Sequence, residues 1–417
     1  MKNETFICIA NRRWDALWGE SQKIMLRISK NNTVLFFEPG RGVNLPLLSE
    51  IKRNFPNLFK LQLNRISENL IIIPCPPSLP IARRHLPRFL LKITTPLVTK
   101  INTALKVNHV RKAIKKLKVK EPILWLYSPY YYDLVGKFNE KLSVYHNYDE
   151  FADFSTNFRV KELILGYDNE LAKRVDLVFA TSRPQWKRRH AINPNSFFVP
   201  NGVDFELFNR PLSEKLPIPD DIKTIPHPII GFAGMLGNHI DVKLLLEIAN
   251  HYPEYSLTLV GPDLLPKSAQ LTQLKHKSNV YFLGFKPMEK LPDYIQTFDV
   301  ALIPYELVGH VLSGYPQKLH EYLAAGRSIV ATAMPELEPY KQWLNIAQNH
   351  AEFIRLIDAA KDHYSDEIIK ARAEVARQNT WDNRVLQMYQ HMEKYLQQIG
   401  LKKMMLADGK LKEPSHD

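Results

Sequence analysis

The sequence predicts an α/β protein built from two doubly wound domains, each a parallel sheet covered by helices. Three observations carry that expectation. The chain has 417 residues, enough for two domains of ordinary size. Hydrophobic residues make up 45% and charged residues 24%, a composition that can bury a large core. Short apolar runs alternate with helical segments in both halves, the pattern of strands buried on both faces of a parallel sheet.

In the first half, Phe6 to Ala10 reads as a strand, followed by a loop and a helix near Ser21 to Ser29. Strands follow at Thr33–Phe37, Leu70–Ile73, Ile123–Tyr127, Leu142–Tyr145 and Leu177–Thr181, with a helix at Phe158–Arg174. The turn Pro200-Asn-Gly-Val-Asp204 closes this half. Residues 205–228 hold five prolines and mixed charge, and read as a linker. The expected organisation is therefore a first domain over 1–204, a linker over 205–228 and a second domain over 229–380. A C-terminal helix over 381–400 packs back on the first domain, and a flexible tail occupies 401–417.

The second domain restarts with a strand at Ile229–Gly234. The loop Gly234-Met-Leu-Gly237-Asn238-His239 leads to Asp241, placed to cap a helix over Val242–His251. Strands Leu257–Val260 and Val280–Leu283 end at Gly261 and Gly284, with Phe285 next; a helix at Leu291–Phe298 leads to a strand at Val300–Pro304. Ligands of such sheets bind beyond the carboxyl ends of the strands. Gly234, Gly237, Gly261, Gly284 and Gly314 all fall there.

The most informative stretch is Tyr315 to Thr332. Pro316 suits a first helical turn, Leu319, Tyr322 and Leu323 recur on one helical face, Gly326 stops the helix, and a strand follows. Lys318 and Glu321 lie one turn apart near the helix start. A helix N-terminus is a natural diphosphate site, and a carboxylate one turn on can accept two ribose hydroxyls. Together they predict a bound nucleotide diphosphate.

At these residues the chain resembles the retaining GT-B glycosyltransferases called group 1 or family 4. Gly314-Tyr315-Pro316, Glu321, Ala324-Ala325-Gly326 and Ile329-Val-Ala-Thr332 match that family's signature, while Ser313 stands where its first glutamate would be. Pro200-Asn-Gly-Val-Asp204 matches its interdomain crossing. The resemblance implies two Rossmann-like domains facing a cleft. It also implies a hexosyltransferase-type enzyme that moves a sugar from a nucleotide diphosphate-sugar donor to a glycan or lipid-linked acceptor with retention. Bacterial envelope or exopolysaccharide synthesis is the expected setting. The expected donor site comprises Glu321, Lys318, Gly314, Tyr315, Pro316, Gly234, Gly237, Asn238, His239, Lys243, Gly261, Gly284 and Phe285. His146 and Asp149, with Glu150 beside them, match a segment that relatives place near the reacting sugar, and they are the expected catalytic residues. Trp14, Asp15, Trp18 and Gly19, in the first strand-to-helix loop, are expected to contact the acceptor. Ser313 motivates a second reading, a non-catalytic scaffold that binds nucleotide sugar or glycan. A nucleotide-sugar epimerase is a third.

The two cysteines, Cys8 and Cys75, make no disulfide framework and lack metal-ligand spacing, which favours a reducing cytoplasm. No Asp-x-Asp pair sits where a metal would bridge a diphosphate, so neither metal nor cofactor is expected. No signal peptide is expected, because a strand-like run follows Lys2 directly, and no apolar run reaches the ~20 residues that span a bilayer. Charge is segregated: residues 1–200 carry 33 Lys and Arg against 16 Asp and Glu, and residues 201–417 carry 23 against 27. From Asn69 to Lys120 there is no acidic residue. Residues 83–120 interleave Arg83, Arg84, Arg88, Lys92, Lys100, Lys106, Arg111, Lys112, Lys115, Lys116, Lys118 and Lys120 with apolar positions. That pattern predicts contact with an anionic membrane surface, at the inner face of the plasma membrane. No nucleic-acid module accompanies the charge, so nucleic acid is not an expected partner.

Overall fold

The computed structural model describes residues 1–40, 60–78, 88–155, 157–361 and 365–407. The segments at 83–87 and 408–417, on which part of the basic stretch and of the tail fall, lie outside the described residues. The chain divides into two compact units: Met1–Val199 with Val385–Asp417, and Pro200–Arg384.

The first unit holds an eight-stranded sheet. Its strands are β1 (Thr5–Ile9), β2 (Thr33–Glu38), β3 (Asn64–Ser67), β4 (Leu70–Pro74), β5 (Ile123–Leu126), β6 (Leu142–Asn147), β7 (Leu177–Ala180) and β8 (Ser196–Phe198). They lie in the order β3-β4-β2-β1-β5-β6-β7-β8, parallel except where β3 turns back on β4. The middle strands are mostly apolar and buried because both faces are covered. Phe6, Leu35, Trp125, Val144 and Phe179 are all fully buried. Short β3 and β8 are polar or partly exposed edge strands that alternation alone does not reveal.

The second unit holds a six-stranded parallel sheet in the order β11-β10-β9-β12-β13-β14. Its strands are β9 (Ile229–Ala233), β10 (Ser256–Val260), β11 (Val280–Gly284), β12 (Val300–Ile303), β13 (Ile329–Thr332) and β14 (Asn345–Ala347). Strand order reverses between β9 and β12, which pair directly. The carboxyl ends of these two strands are therefore the switch point where a doubly wound sheet opens a crevice. The Asp241 carboxylate caps helix Val242–His251, accepting the Leu244 N–H at 2.9 Å.

Residues 205–228 do not form a linker. They fold into three short helices, Phe205–Phe208, Arg210–Ser213 and Asp220–Lys223, belonging to the second unit. Phe205, Phe208, Ile222 and Ile225 enter its core. The prolines are consistent with this, because Pro211 and Pro219 sit in or just before first turns, where a missing N–H costs nothing.

The last helix runs Trp381–Ala407, and its residues from Val385 on belong to the first unit. There the Asn32 amide donates to Tyr389 Oη at 2.9 Å, and His391 stacks on Phe197 with centroids 3.8 Å apart. Tyr395 Oη donates to Asp176 at 3.0 Å.

Candidate functional site

In the second unit the loops after β9, β10 and β11 are drawn together by backbone hydrogen bonds. Gly234 N–H donates to the Val260 carbonyl at 2.8 Å, and Gly261 N–H to the Gly284 carbonyl at 2.9 Å. Gly261 has φ +147°, and a Cβ there would lie 1.8 Å from the Gly234 carbonyl oxygen. Only glycine permits this approach. A Cβ on Gly234 would meet Lys318 Cε at 2.6 Å, so the lysine stem lies flat over the glycine. Helix Lys318–Ala324 thus delivers its first residue onto the loop after β9.

Lys318 Nζ contacts Glu321 Oε2 at 2.6 Å, and the Glu321 side chain is only 5% exposed. A carboxylate this buried needs its partner, because an unpaired buried charge is costly. Behind it, Tyr322 Oη accepts the Ala233 N–H at 2.9 Å and ties the helix to β9.

His239 stands beside this pair. Its ring meets the Tyr305 ring edge-on at 4.9 Å, and its carbonyl accepts the Glu306 N–H at 2.9 Å. Burial, with His310 and Lys318 nearby, pushes its imidazole down to about 4, so it is neutral at pH 7. His310, from the loop after β12, is a site neighbour that sequence reasoning did not single out.

Other expected donor-site residues are placed less uniformly. Gly314 closes a turn onto the Val311 carbonyl, and Pro316 is buried in the turn that enters the helix. The Tyr315 side chain points into the core. Its hydroxyl contacts His320 Nε2 at 2.7 Å and Tyr340 Oη at 3.0 Å, so only its backbone can face a ligand. Gly237 is buried, while Asn238 and Phe285 are exposed. Gly284 has φ +69° with open space around it. Lys243 does not join the cluster around Lys318: its exposed ammonium lies 3.8 Å from Glu247, one turn along its own helix.

In the first unit the loop after β1 is pinned where the Trp14 N–H donates to Glu38 Oε1 at 2.7 Å. Trp14 packs edge-on against Trp18 at 5.3 Å, and Asp15 is held by Arg13 at 2.8 Å in solvent. Gly19 caps helix Glu20–Ile28 and is buried.

His146 does not occupy the open position expected of it. Strand β6 continues through Asn147, so His146 is still a sheet residue, paired in register with Phe179. It is 1% exposed, its ring stacks on Tyr127 at 5.1 Å, and burial pushes it down to about 3. As placed, the imidazole is enclosed by the sheet and by Tyr127 and Trp125. Asp149, three residues on, is past the strand and half-buried. Burial, then the negative charge of Glu20, raises its carboxyl to about 7 against the pull of Arg12. That value suits a group that takes and returns a proton near neutrality. Glu150 is a core residue, bound by Arg188 at 2.8 Å and near Arg189 at 3.6 Å.

The basic stretch forms helix Arg88–Leu117. Arg111, Lys112, Lys115, Lys116, Lys118 and Lys120 are exposed, and so are apolar Leu97 and Ile101. Lys106 is turned inward, its ammonium 3.8 Å from the centre of the Tyr131 ring. Among the described residues no helix is long and apolar enough to cross a membrane, and no group of His, Cys, Asp and Glu could hold a metal ion.

Both units are thus Rossmann-like, and comparison with solved structures shows the fold to be GT-B. Sucrose-phosphate synthase from Thermosynechococcus elongatus superposes with TM-score 0.66 at 16% identity, over 94% of this chain and 99% of that one. HepE of Anabaena, solved with UDP and glucose, gives TM-score 0.60 at 14% identity over 94% and 100%. An Escherichia coli trehalose-6-phosphate structure bound with UDP-2-fluoro glucose gives 0.66 at 12% identity over 94% and 99%.

Residues 227–360 match the family described as Glycosyl transferases group 1. A Bacillus subtilis (strain 168) protein named as a teichuronic acid biosynthesis glycosyltransferase, TuaH, is 27% identical over 189 residues, 44% of this chain and 47% of that one. The chain spans about half the length of the curated relative it matches.

Proposed function

We propose that this chain is a GT-B glycosyltransferase of the group 1 type. It would move a hexose from a nucleotide diphosphate-sugar donor to a glycan or lipid-linked acceptor, with retention, in cell-surface polysaccharide synthesis. The observation that carries the reading is the Lys318–Glu321 pair, set against Gly234 at the switch point of the second sheet. The matches to group 1 transferases and to TuaH, together with the UDP-bound structures of the same fold, support it.

In this reading Glu321 accepts hydrogen bonds from the ribose hydroxyls, and Lys318 and the backbone of the Gly234 loop stabilise the departing diphosphate. The site's own donors and charges do this work, with no metal in the scheme. Asp149 is the proton-accepting group of the first unit. No carboxylate is assigned as a nucleophile, which agrees with a front-face transfer driven by positioning.

Calorimetry with UDP, GDP and ADP tests the donor site. One nucleotide binds, and Glu321→Ala weakens it by about 1.5–3 kcal/mol, the scale of hydrogen bonds to a charged group. Equal binding by wild type and Glu321→Ala would sink the assignment. Ser313, in place of the signature's first glutamate, favours a second reading in which nucleotide binds without turnover. Release of free UDP, GDP or ADP from its sugar conjugate in the presence of membrane lipid extract separates the two.

The exposed lysines of helix Arg88–Leu117 and the residues after it, beside Leu97 and Ile101, support a peripheral position on the cytoplasmic membrane face. Replacing Lys112, Lys115, Lys116 and Lys118 with Gln is expected to lower binding to anionic vesicles. At roughly 1 kcal/mol for each charge near the surface, the loss exceeds tenfold. Unchanged binding at low salt argues for a merely solvated helix.

A further inference from the structure

The charge balance around Lys318 poses a problem for any diphosphate. Lys318 is paired with Glu321 at 2.6 Å, so that pair contributes no net positive charge. Among the described residues, the other side chains of the cluster with a basic nitrogen are His239 and His310, and burial keeps His239 neutral at pH 7. The remaining ionisable groups on the packed loops do not help. Tyr305 is held protonated by burial, and Glu306 is an exposed acid on the same loop as His310. Asp263, on the loop after β10, is engaged by Lys275 at 2.5 Å. A diphosphate brings several negative charges to a partly buried place whose net charge is near zero.

Backbone hydrogen bonds bring together the loops that carry the two histidines. The loops after β9 and β12 are joined where Asp241 N–H donates to the Pro304 carbonyl at 2.9 Å and Glu306 N–H to the His239 carbonyl at 2.9 Å. An isolated bridge pairs Ile240 with Tyr305. His310 follows in the turn Gly309–Val311, and its carbonyl oxygen lies 3.1 Å from where a Gly314 Cβ would be. His310 also contributes to the charge environment of His239. Gly234, whose carbonyl touches Gly261, forms the floor of the same place.

We infer that His239 and His310 are diphosphate ligands that bind as imidazoliums, so that donor binding takes up protons and weakens as pH rises. This rests on the donor site proposed above and adds to it a residue, His310, and a regulation. The sign follows from linkage. A bound anion favours the charged form of a neighbouring imidazole, so protons enter on binding. Between the free and bound pKa values, affinity falls about tenfold per pH unit for each proton taken up.

The experiment is calorimetry of full-length protein with UDP, GDP, ADP and inorganic pyrophosphate at pH 6, 7 and 8. Each titration is run in two buffers of different ionisation enthalpy, which reads proton uptake directly. Comparing proteins at one pH cancels the ligand's own ionisation. The expected result is greater proton uptake by wild type than by His239→Asn or His310→Asn, and a shallower pH dependence in each variant. His310→Lys supplies a permanent charge. It is expected to bind at pH 8 several-fold more tightly than wild type with a flattened pH profile, an outcome that loss of structure would not produce. Nucleotide binding with the same proton uptake in wild type and both asparagine variants overturns the inference and leaves the donor site standing. Failure of all four probes to bind wild type overturns both.

Discussion

Gly261→Ala is expected to disable the proposed donor site and destabilise the second unit together. The new methyl would sit 1.8 Å from the Gly234 carbonyl oxygen, an approach real side chains do not make. The atom it meets is backbone, so no rotamer change relieves the overlap. At φ +147° an L-residue adds strain of about 1–3 kcal/mol before any clash is counted. One of the two loops must retreat, and Lys318, whose Cε lies against Gly234, loses its seat. A loss of ~3 kcal/mol or more in the stability of this unit is expected, together with at least tenfold weaker nucleotide binding. Gly284→Ala is the control. Its φ of +69° is also unfavourable, but nothing lies within 4 Å of the added methyl. It is expected to cost only about 1–2 kcal/mol. Denaturant unfolding and nucleotide calorimetry on both variants check this. Equal behaviour of the two would mean that the loops do not meet as described.

The helix that carries Lys318 and Glu321 was legible because its signals are local. Pro316, the apolar face at Leu319, Tyr322 and Leu323, and the stop at Gly326 determine one short helix, and Lys318 and Glu321 fall on it by spacing alone. Glycines at the ends of β9, β10 and β11 were likewise visible, although their mutual contact was not. His310 was hidden because its neighbourhood depends on hydrogen bonds between loops about sixty or more residues apart, such as Glu306 to His239. The same limit explains His146. Reading β6 as ending at Tyr145 placed the imidazole in a loop, whereas two further residues of strand turn it into the aromatic face beside Trp125 and Phe179. Strand ends are set by pairing with β7, which a single sequence does not display. In 205–228 the prolines drew attention away from Phe205, Phe208, Ile222 and Ile225. The three-residue spacing within each of those pairs signalled short helices with buried faces.

Arg189→Ala is expected to have the largest effect on the first unit. Arg189 is 1% exposed, Asp168 0% and Glu150 1%. The guanidinium contacts the Asp168 carboxylate directly and lies 3.6 Å from Glu150, so one cation serves two enclosed acids. Asp168 is raised to about 6 by burial, with Arg189 as the main opposing influence. Removing the arginine leaves that carboxyl without its stabilising charge. Breaking one side of a buried pair costs about 3–5 kcal/mol. The sign of the pH dependence is fixed as well. A carboxyl whose folded value lies above its unfolded value costs stability as pH rises, because the unfolded chain ionises first. Without Arg189 the Asp168 carboxyl rises further, so the variant's deficit should be greatest near pH 8 and shrink toward pH 5.5, where Asp168 takes up a proton. Asp168→Asn in the Arg189→Ala background removes the buried charge and should recover part of the loss at pH 8 but little at pH 5.5. Urea unfolding of the three proteins at both pH values reads this directly. A deficit independent of pH would show that Arg189 acts through packing of its stem alone. Glu150 and Asp149 are adjacent in the chain, so the same network also fixes the backbone that carries Asp149. Where Arg189→Ala remains folded at low temperature, any catalytic loss it shows should therefore appear in kcat rather than in nucleotide affinity, because the residues proposed to hold the donor, Lys318 and Glu321, belong to the other unit.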